Sequence, residues 1–69
     1  MLNLTEVNIV SPLVPFLVEY YRVRKLMSHS TVHRLTGISE CNMRMIEHGM
    51  YVPSVQEWEK IITVLNAEL

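Results

Sequence analysis

Gly37 and Gly49 are the only glycines in the chain, and each closes a short amphipathic stretch that opens on a serine, Ser28 for the first and Ser39 for the second. Serine is a favoured helix N-cap because its hydroxyl accepts from a first-turn amide that has no partner within the helix. Glycine is a favoured stop because it takes positive φ without a Cβ clash. The spacing therefore predicts two short helices joined by a tight turn at Thr36-Gly37-Ile38. One runs from the Ser28 cap to about Leu35, the other from the Ser39 cap to a left-handed stop at Gly49. Helices this short do not persist alone, so each must bury one face.

The flanking segments read as two more helices, with no internal repeat or low-complexity tract. Ser11-Pro12 predicts an N-cap and first-turn proline for a helix running to about Leu26, with Pro15 near enough to its start to be tolerated. The stretch "SVQE", Ser54 to Glu57, is a capping box behind Pro53, and Val55, Trp58, Ile61, Ile62 and Leu65 follow at helical spacing. The expectation is an all-α domain over 11–69, preceded by a short N-terminal arm over 1–10. The period of "LNLTEVNIV" in that arm leaves strand and helix both open.

On a wheel of 100° per residue, Met43, Ile46 and Glu47 share one side of the third helix, while Cys41, Arg44, Met45 and His48 face away. Val32, Leu35 and Ile38 are expected to complete the apolar seam. Its inward side thus contains a carboxylate, which is costly to bury unless paired.

With 69 residues, a single domain buries about 60% of the surface its unfolded chain exposes, so a partner subunit is the expected addition to the core. The lone Cys41 excludes an internal disulfide and a four-cysteine zinc site, and suits a reducing cytoplasm. His29 and His33 stand four apart, with Cys41 and His48 as further conceivable donors, but no paired cysteine or carboxylate completes a zinc set; no metal or other cofactor is expected. "MLNLTE" lacks a basic leader, and Pro12, Pro15, Glu19 and Arg22 break the apolar runs, which predicts a soluble, cytoplasmic protein rather than a membrane one. No Gly-rich phosphate loop and no converging Ser, His and Glu set is found, so an enzyme is not expected. The net charge is -1, yet from Arg22 to His48 five arginines and lysines stand against two glutamates, with His29, His33 and His48 among them. A mild basic face on an acidic chain is compatible with a small DNA-binding module.

Arg22, Ser28, "LTGIS" at Leu35 to Ser39, "IEHG" at Ile46 to Gly49 and "PS" at Pro53-Ser54 together resemble the helix-turn-helix domains of the lambda-repressor and Cro type, also called the xenobiotic-response-element type. The resemblance spans roughly Val14 to Asn66. It implies a compact four- to five-helix fold and an ion pair between Arg22 of the first helix and Glu47 near the end of the recognition helix. It also implies that the recognition helix, Ser39 to His48, is presented to the DNA major groove. On that surface Glu40 would accept from a cytosine amine, Cys41 and Met45 would meet thymine methyls, and Arg44 would read guanine or hold phosphate. Asn42 and His29, near the starts of their helices, suit phosphate.

Three departures from the family pattern carry expectations of their own. His33 replaces a small residue, so it must tilt out or open the packing. Met50-Tyr51-Val52 replaces a loop that is often basic, which lowers phosphate affinity. Almost no chain is left for a fifth helix, a common dimerisation element. The first helix offers a substitute: Val14, Val18, Tyr21 and Arg22 make its inward side, and Leu13, Phe16, Leu17 and Tyr20 a second apolar side that the arm or a second subunit would cover. The expected function is a homodimeric, sequence-specific transcriptional regulator, a repressor of the phage or mobile-element kind, bound to a palindromic double-stranded DNA operator. The alternative is a protein-interaction module, antirepressor- or antitoxin-like, that binds another regulatory protein; the acidic net charge, the oily loop and the second apolar face favour it.

Overall fold

The computed structural model describes residues 4–66 of the chain, the side chain of Thr5 excepted. Four α-helices form there, α1 (Val14–Arg24), α2 (His29–Thr36), α3 (Glu40–Glu47) and α4 (Val55–Asn66), with no strand among the described residues. The four- to five-helix expectation resolves to four. The additional element is a single 3-10 turn at Leu4–Glu6, within the arm whose period leaves strand and helix both open. The ends of that arm and of the helical domain, 1–3 and 67–69, lie outside the described residues.

Local hydrogen bonds set the element ends. The Oγ atoms of Ser28 and Ser39 accept from the amides of Thr31 and Asn42, each at 3.1 Å. Gly37 and Gly49 hold φ of 79° and 73°. Beyond α3, the Gly49 amide donates to the Ile46 carbonyl and the Met50 amide to that of Met45, the paired bonds of a Schellman stop. Before α4, the Ser54 amide donates to Glu57 Oε1 at 2.9 Å and the Glu57 amide to Ser54 Oγ at 3.1 Å, a reciprocal capping box. The Tyr51 hydroxyl donates to the same Oε1 at 2.8 Å and so ties the preceding loop to the helix start.

α1 is shorter at both ends than its sequence predicts. Ser11 Oγ accepts from the Leu13 amide at 3.2 Å, which shapes a turn ahead of the helix, and Leu13 becomes the N-cap position without a side-chain cap. At the other end the Leu26 amide donates to the Val23 carbonyl and the Met27 amide to that of Arg22, the same Schellman pair as after α3. Here the left-handed position is filled by Leu26, with φ of 57°. Its side chain is 93% exposed and gains no burial in return.

The core gathers Leu4, Val14, Leu17, Val18, Tyr21, Val32, Ile38, Met43, Ile46, Trp58, Ile61 and Leu65. α1 and α2 both pack on α3 and α4, and the turn holding Leu4 packs on α4. Three expectations are corrected. Leu17 is only 8% exposed and belongs to this core, not to an outer face of α1. Leu35 is 54% exposed, because Thr36 takes the inward position at the end of α2; its hydroxyl donates to the Val32 carbonyl at 2.7 Å and accepts from the Ile38 amide at 3.1 Å. Val55, the first residue of α4, faces solvent.

Two stability experiments follow from these ends. A left-handed backbone costs an L-residue about 1–2 kcal/mol, and glycine gives back about 0.5–1 kcal/mol through its freer unfolded chain. Leu26→Gly is therefore expected to raise stability by up to about 1 kcal/mol, read as a higher urea midpoint at unchanged slope. The Glu57 carboxyl is held below its ordinary range, first by the Ser54 amide and then by the Tyr51 hydroxyl. The Tyr51 phenol is pushed up, chiefly by donating to that carboxylate. Glu57 thus stabilises the fold above the ordinary carboxylate range and loses that contribution as pH falls through its lowered pKa, whereas the Tyr51 contribution is lost as pH rises through the raised phenol pKa. Glu57→Gln keeps an acceptor in the box but removes the charge. The parent's advantage over this variant is expected to be full above the ordinary carboxylate range and to shrink as pH falls through and below it in urea titrations.

Candidate functional site

α3 is anchored by its inward side and open on its outer one. Met43 and Ile46 are fully buried between α1 and α2. One turn beyond Met43, Glu47 meets Arg22 of α1 in a two-pronged pair: Nε donates to Oε2 at 2.7 Å and Nη2 to Oε1 at 3.1 Å. The side chains are 12% and 4% exposed for Arg22 and Glu47. The remaining capacity is used. Arg22 Nη1 donates to the Met27 carbonyl at 2.9 Å, and Glu47 Oε1 accepts a second bond from His29 Nε2 at 3.0 Å. One guanidinium thus ties α1, the α1–α2 loop and α3 together, and one carboxylate gathers α1, α2 and α3.

His29 therefore lies against Glu47, with its side chain 21% exposed, and its Nε2 is not directed to the outer surface expected of a phosphate contact. His29, Val32 and Thr36 occupy the inward stripe of α2 at i, i+3 and i+7, a spacing that marks His29 as an inward residue. His33 is exposed, and its Nδ1 donates across the turn to the Ile38 carbonyl at 2.8 Å. The two histidines four apart thus engage different partners. Among the described residues no three His, Cys, Asp or Glu side chains gather as a metal site.

The outer side of α3 presents Cys41, Arg44 and His48 as exposed residues, with Glu40, Asn42 and Met45 half-buried beside them. Ser39 is exposed but its Oγ is committed to the Asn42 amide. Arg44 Nη2 lies 3.5 Å from Glu40 Oε1 one turn back, an exposed pair. Such pairs on a helix contribute about 0.3–0.5 kcal/mol, so the Arg44 fork is easily released to a stronger acceptor. The Cys41 thiol points at Met45 Sδ, 3.9 Å away, which makes a soft apolar strip along the same side. The arrangement offers one charged fork, one carboxylate and one thiol-thioether surface on a helix whose back is fixed.

The rest of the sequence-derived surface divides. Leu13, Phe16 and Tyr20 are exposed on the outer side of α1, and the arm's Leu4 is buried in the core, so the described residues of the arm leave that side uncovered. Leu17 is absent from it for the reason already given, and Val23 takes its place. Met50 and Val52 of the loop after α3 are exposed. No helix among the described residues is long and apolar enough to cross a membrane. Comparison with known proteins finds no matching family model, no matching curated protein and no matching solved structure.

The ion pair is open to direct test. Removing one partner leaves the other charge buried and unpaired, at a cost of about 3–5 kcal/mol. Glu47→Gln and Arg22→Met are each expected to lower the urea midpoint by that equivalent, a large part of the total stability of so small a domain. An unchanged midpoint for Glu47→Gln would show that the carboxylate is solvated.

Proposed function

We propose that the protein is a homodimeric, sequence-specific DNA-binding regulator, in which α2, the turn at Gly37 and α3 act as a helix-turn-helix of the lambda-repressor and Cro type. The observation that carries this reading is the Arg22–Glu47 pair. It holds α3 from behind, in the register the resemblance implies, while Glu40, Cys41, Arg44, Met45 and His48 look outward or lie at the edge. Two such helices, related by a two-fold axis, would enter successive major grooves of a roughly palindromic site with half-sites about 10 bp apart or a multiple of that. Occupying an operator is enough to repress transcription.

Each outer side chain has a base-edge chemistry. The Arg44 fork matches guanine O6 and N7, Glu40 accepts from cytosine N4, and Cys41 and Met45 suit thymine methyls. Asn42 at the first turn of α3 suits phosphate, with help from the amides there. His29 is assigned here to orienting Glu47 rather than to phosphate, because its ring nitrogen is already engaged.

A second reading, a module that binds another regulatory protein, is favoured by the exposed Met50 and Val52 in place of a basic loop. Selection from a pool of random duplexes at low salt separates the two. The DNA reading expects one enriched motif. Arg44→Ala is expected to weaken binding by about 1–3 kcal/mol and relax one position if Arg44 reads guanine, or to weaken all sequences alike and reduce the salt slope by about 1 if it holds phosphate. A folded protein that enriches no motif, yet is captured by a co-encoded protein, would establish the second reading instead.

A further inference from the structure

The outer side of α1, from its N-cap residue Leu13 on, carries Leu13, Phe16, Tyr20 and Val23, all exposed. Their 3-4-3 spacing is that of the a and d positions of a heptad. The Phe16 and Tyr20 rings stack along this seam at 6.2 Å. Glu19 borders the seam on one flank and Arg24 on the other, both exposed. Arg24 lies over the Tyr20 ring, 5.9 Å from its centroid, and donates to the Tyr20 hydroxyl at 3.2 Å. Among the described residues neither Glu19 nor Arg24 meets an opposite charge.

We propose that a second copy of the chain covers this seam with its own, the two α1 helices lying parallel and in register, so that Glu19 of each subunit pairs with Arg24 of the other. This deepens the homodimer of the proposed function and rests on it. With Leu13 at position a, Glu19 falls at g and Arg24 at the following e. In a parallel pair, g of one helix faces the e five residues on in its partner, so the contact forms twice. In an antiparallel pair like flanks meet: the two Glu19 carboxylates approach each other and Arg24 finds no carboxylate. The charges therefore select both the occupant, an identical surface, and its direction. Each of Leu13, Phe16, Tyr20 and Val23 packs on its own symmetry mate, and the Tyr20 hydroxyl keeps its bond to Arg24 at the margin.

The seam is short. An 11-residue helix is about 16 Å long, and the interface lies below about 1,200 Å² in total, the range of weak complexes. The dimer consequently dissociates at micromolar concentration and is completed by a second half-site on the ligand, through mass action.

Sedimentation equilibrium on the full chain without DNA tests the arrangement. The parent is expected to self-associate, and Glu19→Arg and Arg24→Glu each to weaken association about tenfold, since each turns two attractions into two repulsions. An equimolar mixture of the two variants is expected to regain parental affinity, because both flanks then hold opposite charges; this recovery also shows that both variants are folded. If Arg24→Glu associates as tightly as the parent, the parallel register is overturned while the dimer stands. If the parent remains monomeric at about 1 mM, the homodimer of the proposed function falls with it. DNA selection by α3 is read in a separate assay and is untouched by either outcome.

Discussion

The bidentate contact between Arg22 and Glu47 determines how α3 sits. A guanidinium can give a carboxylate two parallel bonds and still donate to a third acceptor, here the Met27 carbonyl; a lysine ammonium supplies a point charge without that planar fork. Burying both charges carries a desolvation cost that an apolar pair of similar volume would not, so net stability is a weak reason for the arrangement. Its physical consequence is narrower. The fork tolerates little rotation of α3 about its axis, because a turn that separates Nε from Oε2 also strips His29 from Oε1 and leaves a buried charge exposed to no compensating dipole. Met43 and Ile46 alone would allow sliding; the charges do not.

Around this fixed point the domain is thinly built. Its core draws on every element, including Leu4 from a single 3-10 turn, and the helices that flank the Gly37 turn contribute only a few buried side chains each. Meanwhile Leu13, Phe16, Tyr20, Val23 and Leu26 remain outside. Leu26 combines a strained backbone with a nearly bare side chain. A chain that keeps so much apolar surface on α1 while placing a leucine where glycine stops α3 forgoes stability that burial and a glycine stop would supply.

Features that depend on a few neighbouring residues were legible before the structure. Ser28, Ser39, Gly49 and the Ser54–Glu57 box are decided by hydrogen bonds that span three to five residues, and sequence spacing encodes those directly. Leu17, Leu35 and Val55 were not legible: α1 carries apolar residues on more than one side, and Leu35 and Val55 stand at the ends of α2 and α4, where helical spacing alone does not decide which residue turns inward. For Leu17 the inward side is settled by packing partners distant in sequence, α3 and α4; for Leu35 and Val55 it is settled at the helix end, where the Thr36 hydroxyl takes the inward position of α2 and the Ser54–Glu57 cap fixes the start of α4. The position of His29 was available in its spacing with Val32 and Thr36. It was obscured by its place at the start of α2, where an anion-binding role is equally compatible with sequence alone.

The proposed interface is electrostatically sparse. Arg44 carries the fixed positive charge on the outer side of α3, and Glu40 stands one turn away. The loop that follows holds Met50, Tyr51 and Val52, with no lysine or arginine. A surface of this kind attracts a phosphate backbone weakly, because non-specific affinity grows with the number of phosphates neutralised. On the proposed function it would also penalise a wrong base, since Glu40 placed opposite an acceptor would be left with an unsatisfied charge. Discrimination of that sort requires a helix that cannot adjust to accommodate a mismatch. The rigidity conferred by the Arg22–Glu47–His29 cluster behind α3 and the selectivity available to the residues in front of it are thus two consequences of the same geometry.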